Sequence, residues 1–280
     1  MAYLGIDIGA SKAYFVALEG SDSVAEGRYD LTPQNTGKIL EVCGQIKTDL
    51  QKKGVAVEKV GVGVPGLPKD GTLNYAPNFP ELVGYPLAQE VEKIFNASVV
   101  LHNDANAFTY AEVALGAALG FENVVGLTLG SGLGGGLVIN GKLYVGRGGA
   151  EIGHTVLNLR GDEEAEDLAS AKFFRKLGKD PVETRQGAQK GDKEAQKLWA
   201  EFGTNLGHII ANVVNILDPQ AVIVGGGIGD AYELFIKEAK KSAAEHIANP
   251  ESKNIPILKS SLGQAAGATG AALIAKLQTS

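Results

Sequence analysis

The sequence predicts an α/β protein folded as two similar lobes around a shared cleft. Three observations carry this expectation. The chain has 280 residues, long for one core and ample for two domains. Short apolar runs alternate with stretches of helical spacing, the pattern of layered sheets and helices. A strand–turn–strand unit occurs twice, LGIDIGAS at Leu4–Ser11 and VGLTLGSG at Val125–Gly132. Duplicated lobes facing one another put both turns at one cleft, and clefts between domains are common ligand sites.

The elements follow in order. Ala2–Ile8 and Tyr14–Leu18 read as strands joined by a hairpin around Gly9–Lys12, with Val24–Tyr29 as a third strand. Thr36–Lys53 has helical spacing, with Ile39, Leu40, Cys43, Ile46 and Leu50 on one side and Gly54 as a stop. Val60–Val64 is a buried-type strand ending in Pro65-Gly66. Val91–Phe95 lies on a helix, Val99–His102 on a strand, and Ala105–Leu119 reads as one Ala-rich helix able to pack closely. Val124–Leu129 opens the second strand–turn–strand unit, and Asn140-Gly141 after Leu137–Ile139 is a strong hairpin signal. Asp162–Leu177 and Lys193–Leu217 read as helices. The second carries an apolar stripe from Leu198 through Phe202, Leu206, Ile209 and Val213, and ends at Asp218-Pro219. Ala221–Val224 is a strand entering Gly225-Gly226-Gly227 and then a helix, and Ala265–Leu277 is a closing helix. The last helix is expected to cross back onto the first lobe. The lobes are therefore residues 1–104 plus 265–280, the smaller, and 105–264, the larger.

Composition excludes several classes. With 44% apolar and 21% charged residues the chain is globular, not disordered. A net charge of −6 without a basic stripe argues against nucleic acid as a partner. Cys43 is the only cysteine, which excludes a disulfide within the chain and fits a reducing compartment. No leader pattern and no apolar run of membrane-spanning length appears, so no membrane partner is expected and the cytoplasm is the expected location.

Gly130-Ser131-Gly132-Leu133-Gly134-Gly135 matches G-x-G-x-x-G, but a strand follows the turn where a dinucleotide site needs a helix. What remains is an anion nest of successive backbone N–H groups, with the Ser131 hydroxyl as a further donor; a plain tight hairpin also fits. Asp7, Gly9, Ser11 and Lys12 form the partner turn. A carboxylate late in an apolar strand is costly unless it is paired or hydrated. Magnesium held through water explains Asp7, and so does an edge-strand Asp satisfied by its turn. Asp104, between a strand and a helix, suits either a helix cap or a general base that deprotonates a hydroxyl. Glu151 and His154 flank Gly153 and supply the paired acceptors and donors that vicinal hydroxyls need; a surface Glu and a core His are the plainer readings. The glycines Gly225, Gly226 and Gly227 let backbone approach a nucleotide, although a tight strand–helix turn accounts for part of them.

Together these segments resemble the ROK family (repressor, open reading frame, kinase) of the actin-like ATPase superfamily. DIGASK at Asp7–Lys12 and LGSGLGGG at Leu129–Gly136 are similar to its two phosphate turns. VGVPG at Val62–Gly66, APN at Ala76–Asn78, HNDANA at His102–Ala107, EIGH at Glu151–His154 and VGGG at Val224–Gly227 follow in the family order. The resemblance implies an α/β fold of two actin-like (ribonuclease H-like) lobes closing over ATP, magnesium and a hexose, and a homodimer. It implies Asp104 as the base for the sugar 6-hydroxyl, with Gly66, Asn78, Asn103, Glu151 and His154 lining the sugar pocket. Glu166, ahead of Ala169-Ser170, would meet the anomeric end. Many relatives bind zinc through a Cys-x-Cys-Gly-x-x-Gly-Cys segment and the His of EIGH. Here LRGDEEA at Leu159–Ala165 stands instead, so no zinc is expected, His154 would contact sugar only, and something else must stiffen the loop. With a strand from residue 2, the repressor branch's N-terminal helix-turn-helix, and with it DNA binding, is not expected. The implied activity is ATP-dependent hexose 6-phosphorylation, by a glucokinase or broad hexokinase. An N-acetylhexosamine kinase and a non-catalytic sugar sensor are the alternatives.

Overall fold

The computed structural model describes residues 1–77, 79–158 and 160–278. The first half runs β1 (Ala2–Ile8), β2 (Lys12–Glu19), β3 (Asp22–Asp30), α1 (Thr36–Lys52), β4 (Val57–Val64), β5 (Leu67–Lys69), β6 (Thr72–Tyr75), α2 (Leu87–Phe95), β7 (Ser98–Asn103) and α3 (Asp104–Ala114). The second half runs β8 (Val124–Leu129), β9 (Leu133–Ile139), β10 (Lys142–Tyr144), β11 (Val156–Asn158), β12 (Glu163–Glu164), α4 (Ala165–Leu168), α5 (Ala171–Lys176), α6 (Pro181–Gln189), α7 (Lys193–Leu217), β13 (Ala221–Gly225), α8 (Tyr232–His246), β14 (Ile257–Lys259) and α9 (Ala266–Leu277).

The repeat seen in sequence is a repeat in space. One five-stranded sheet has the order β3-β2-β1-β4-β7 and the other β10-β9-β8-β13-β14. In each, the hairpin strands are antiparallel and the later strands join in parallel. The first sheet packs on α1 and α2 through Ile39, Val42, Ile46, Leu50, Leu87 and Val91. The second packs on α7 and α8, where Phe174, Trp199, Phe202 and Phe235 meet at ring-centroid distances of 4.6 to 6.0 Å. Such a cluster adds aromatic contacts to a large burial of apolar area.

Small residues join the two sheets. Helix α9 lies flush on the first sheet: a Cβ at Gly5 would stand 1.8 Å from the Ala268 carbonyl oxygen, and one at Gly61 1.9 Å from that of Ala271. On its other side α9 meets α3, where a Cβ at Gly270 would stand 1.8 Å from the Ala107 carbonyl oxygen. No larger side chain fits at these glycines, and the contact surfaces are small throughout: α9 is rich in Gly and Ala, and α3 in Ala. Helix α3 in turn rests on β8 and β9. No helix among the described residues is long and apolar enough to cross a membrane.

Three sequence expectations need correction. The stretch Asp162–Leu177 is not one helix but β12, α4 and α5, because Ser170 ends one helix and caps the next, accepting from the Lys172 N–H at 3.1 Å. The helix expected over Ala105–Leu119 stops at Ala114, since the Glu112 carboxylate accepts from the Ala117 N–H at 2.8 Å and turns the chain. After Gly225–Gly227 a 3₁₀ turn, Ile228–Ala231, precedes α8.

Candidate active site

Both repeated turns open on one cleft of about 550 Å³. In the first, Gly9 N–H donates to the Lys12 carbonyl at 2.9 Å, and Ser11 and Lys12 face the cleft. In the second, Gly130 N–H donates to the Gly132 carbonyl at 2.9 Å, with Ser131 at the tip. The third turn, Gly225-Gly226-Gly227, lines the same space. Gly226 has φ +82, and a Cβ there would stand 2.4 Å from the Leu129 carbonyl oxygen, so only glycine fits. Asp7 pairs in register with Gly63, and Thr128 with Gly225. Thr128 is thus the uncharged counterpart of Asp7 in the second sheet.

Strand β7 delivers Asn103 and Asp104 to the floor of the cleft. Asn103 caps α3, its Oδ1 accepting from Asn106 N–H at 3.1 Å, while its Nδ2 donates to the Gly66 carbonyl at 3.2 Å. The capping reading of Asp104 falls, because its neighbour does that work. Asp104 sits one residue inside the helix, half-buried, accepting from Ala105 N–H at 2.8 Å. Burial, then the Glu151 charge, pushes its carboxyl up to about 6 against that hydrogen bond. Burial, then the Asp104 charge, pushes Asp7 up to about 7. A Cβ at Gly63 would lie 3.3 Å from Asp7 Oδ1 and 3.7 Å from Asp104 Cα, so the two acids flank that glycine.

Glu151 and His154 enter from a 3₁₀ turn, Ile152–His154, and Glu166 from α4. His154 is not reserved for a ligand in the cleft. Its Nδ1 lies 2.8 Å from Glu164 Oε2, and its Nε2 lies 3.9 Å from Glu151 Oε2. The bond to Glu164 raises the imidazole's proton affinity above its ordinary value. Glu166, buried and paired with Lys172, lies against the second turn: a Cβ at Gly132 would stand 2.4 Å from its Oε2. Ala171 N–H donates to the Gly130 carbonyl at 2.9 Å, tying α5 to that turn. Ion pairs of Lys176 with Asp167 (3.3 Å) and Glu163 (3.7 Å), and the β11–β12 ladder, brace the segment that lacks cysteines. One ligand atom each from His154, Glu164 and Glu166 lies within 4.8 Å of the others, the single such group among the described residues, and Lys172 places an ammonium there.

The cleft therefore gathers Asp7, Gly9, Ser11, Lys12, Gly66, Asn103 and Asp104 from one half of the chain. From the other it takes Gly130, Ser131, Gly132, Glu151, His154, Glu166 and the 225–227 glycines. Asn78 lies outside the described residues. Sequence reading missed the wall formed by Lys259, Ser260, Gly263, Gln264 and Gly267, with Tyr14 donating to Gln264. No turn motif marks these residues. The sequence offers only Gly267 as a hint there; the structure shows why it is glycine, since a Cβ would stand 2.4 Å from Asp7 Oδ2.

Residues 3–278, nearly the whole chain, match one family. The chain belongs to the ROK family. It is 31% identical to a glucokinase of Thermotoga maritima, over 98% of this chain and 96% of that protein. It is 29% identical to an N-acetyl-D-glucosamine kinase of Vibrio atlanticus, over 97% and 99%. Among solved structures, a ROK family glucokinase from Streptomyces griseus, in complex with glucose and AMPPNP, superposes with a TM-score of 0.87 at 28% identity, covering 99% of this chain and all of that one. The two five-stranded sheets of this ROK chain are thus the two lobes of an actin-like fold.

Proposed function

We propose that this ATP-dependent sugar kinase phosphorylates the 6-hydroxyl of a hexose, with glucose or a broad hexose range as acceptor. The observation that carries the reading is convergence. Three glycine turns and a proton-accepting carboxylate, drawn from both halves of the chain, face one cleft. A Cβ built at Gly130 or at Gly227 meets nothing within 4 Å, so backbone at both turns is open to phosphate oxygens. Lys12 brings positive charge to the same place.

Asp104 takes the proton from the 6-hydroxyl as that oxygen attacks the terminal phosphorus. Glu151, His154, Glu166 and Asn103 orient the ring hydroxyls, with the Gly66 loop alongside. The Asp7 carboxylate has no cation partner among the described residues and stands beside a second acid, a donor set that fits magnesium held through water. Bound magnesium would neutralise charge on the transferring phosphoryl oxygens. Residues 1–104 plus 265–280 and residues 105–264 form the lobes, and their closure excludes water and limits hydrolysis of ATP. The ion pairs around Glu163–Lys176 do the stiffening that zinc does in many relatives, so no zinc is required. A cytoplasmic homodimer completes the reading.

A second acceptor class is supported by the match to N-acetyl-D-glucosamine kinases: an N-acetylhexosamine. A panel of sugars scored by coupled ADP release separates the two. Turnover with glucose and none with N-acetylated sugars supports the first reading, and the reverse supports the second. Sugar binding with no ADP release across the panel would overturn both in favour of a non-catalytic sensor.

A further inference from the structure

The least expected group in the molecule is Glu112. It lies on α3, about two turns after Asp104, and is 0% exposed. Acidic side chains are almost never fully buried without partners. No Lys, Arg or His pairs with it among the described residues. Its charge is met by hydrogen-bond donors instead. Oε1 accepts from the Ser260 hydroxyl at 2.5 Å and from Leu262 N–H at 3.0 Å. Oε2 accepts from Ala117 N–H at 2.8 Å, Ser261 N–H at 3.2 Å and the Ser261 hydroxyl at 3.3 Å. Four of these five donors come from one loop, between β14 and α9, nearly 150 residues away in the chain.

That loop is part of the cleft. Ser260, Gly263 and Gln264 line it, as does Lys259 at the end of β14. The Ser260 hydroxyl also accepts from Gly263 N–H at 3.1 Å, and Ser260 N–H donates to the Val224 carbonyl at 2.9 Å. A Cβ at Gly225 would stand 2.5 Å from the Phe108 ring and 3.1 Å from Ser260 Cβ, so the third glycine turn is wedged between α3 and this loop.

We propose that Glu112 is a positioning residue for the nucleotide-facing wall: its buried carboxylate clamps Ser260–Leu262 to α3. The same helix starts at Asp104, so one rigid element fixes the wall and the base relative to each other. The clamp acts on the nucleotide side, since among the described residues none of its partners is hydrogen-bonded to Glu151, His154 or Glu166. The inference rests on the kinase reading.

The test compares wild type, Glu112→Gln and Ser261→Ala. The readouts are the Kd of a non-hydrolysable ATP analogue with magnesium, by calorimetry, and the KM of the sugar. Glutamine turns an amide N–H₂ toward donors that need an acceptor, so the analogue should bind about tenfold weaker or worse in Glu112→Gln. Ser261→Ala removes one hydroxyl donor and should weaken it roughly two- to fivefold. Sugar KM should stay within about twofold in both, a split that general destabilisation does not produce. Wild type that binds no analogue would defeat the kinase reading itself. Wild type that binds, with variants that bind equally well or that lose sugar and nucleotide together, overturns the clamp. If Glu112→Gln does not fold, Ser261→Ala decides: an unchanged analogue Kd is the overturning result.

Discussion

Replacing Asp104 by Asn should cost activity and add stability, and both magnitudes follow from the carboxyl's surroundings. Asparagine keeps the shape and can still accept from Ala105 N–H, but it cannot take a proton. Turnover should fall by roughly 10²–10⁴-fold. In wild type the base must be ionised, so kcat/KM should rise with pH through a midpoint of about 6. Activity at pH 5 should be about a tenth of its plateau. The stability effect has the opposite sign. The folded state binds this proton more tightly than the unfolded chain does, because the carboxyl is raised from 3.8 to about 6. Stability from this group is fully present below pH 3.8 and is lost as pH rises through 6. Above that, wild type carries a penalty of up to about 3 kcal/mol that the Asn variant lacks. Guanidinium unfolding should show Asp104→Asn more stable at pH 8, with the gap about halved at pH 5. A variant turning over within tenfold of wild type in the ADP-release assay would sink the role of Asp104. A stability gap equal at both pH values would sink the electrostatic reasoning.

Other outcomes follow from contacts on the cleft wall. Gly132→Ala drives a methyl to 2.4 Å from Glu166 Oε2, so steady-state kinetics should show sugar KM raised about tenfold or more; an unchanged KM would remove Glu166 from the sugar site. Gly267→Ala sets a methyl 2.4 Å from Asp7 Oδ2 and should lower kcat/KM for magnesium–ATP by about tenfold, read by varying ATP at saturating sugar. His154 has its proton affinity raised chiefly by Glu164, so that contribution to stability is present below pH 6.5 and fades as pH rises through the higher folded value. Glu164→Gln should therefore lower Tm more at pH 6 than at pH 9, and an equal loss at both would contradict the pairing. Metal analysis of the purified protein should find zinc well below stoichiometry, a chelator should leave Tm unchanged, and activity should require added magnesium.

The longer strands and the duplicated hairpin were legible in the sequence because they rest on local signals, while the short strands β5, β6, β11, β12 and β14 were not. Apolar runs of strand length, glycine turns and the Asn140-Gly141 hairpin act within a few residues, and the same signals recur in both halves. The family motifs were legible for the same reason, since each is a short turn whose chemistry is in its own residues. Helix ends were less legible. The break at Ala114 comes from a side chain recruited by a distant partner, Glu112 by the loop after β14; that at Ser170 combines local bonds to the Glu166 carbonyl and the Lys172 N–H with a longer-range one to the Ser131 carbonyl. Which residue of Asn103-Asp104 caps the helix could not be read from the pair, because either residue type caps a helix; β7 runs through Asn103, and the Asn106 N–H bond to the Asn103 side chain settles it.

What the sequence determined by itself was the inventory: three glycine turns, two acids in apolar settings and a polar Glu-x-x-His step. Only the tertiary structure brought them to one cleft, added the unmarked wall around Gln264, and buried Glu112 with no counter-ion among the described residues. The physical reason is range. Backbone conformation answers to neighbours a few positions away, whereas burial and electrostatics depend on which segments the packing of α3 and α9 presses together.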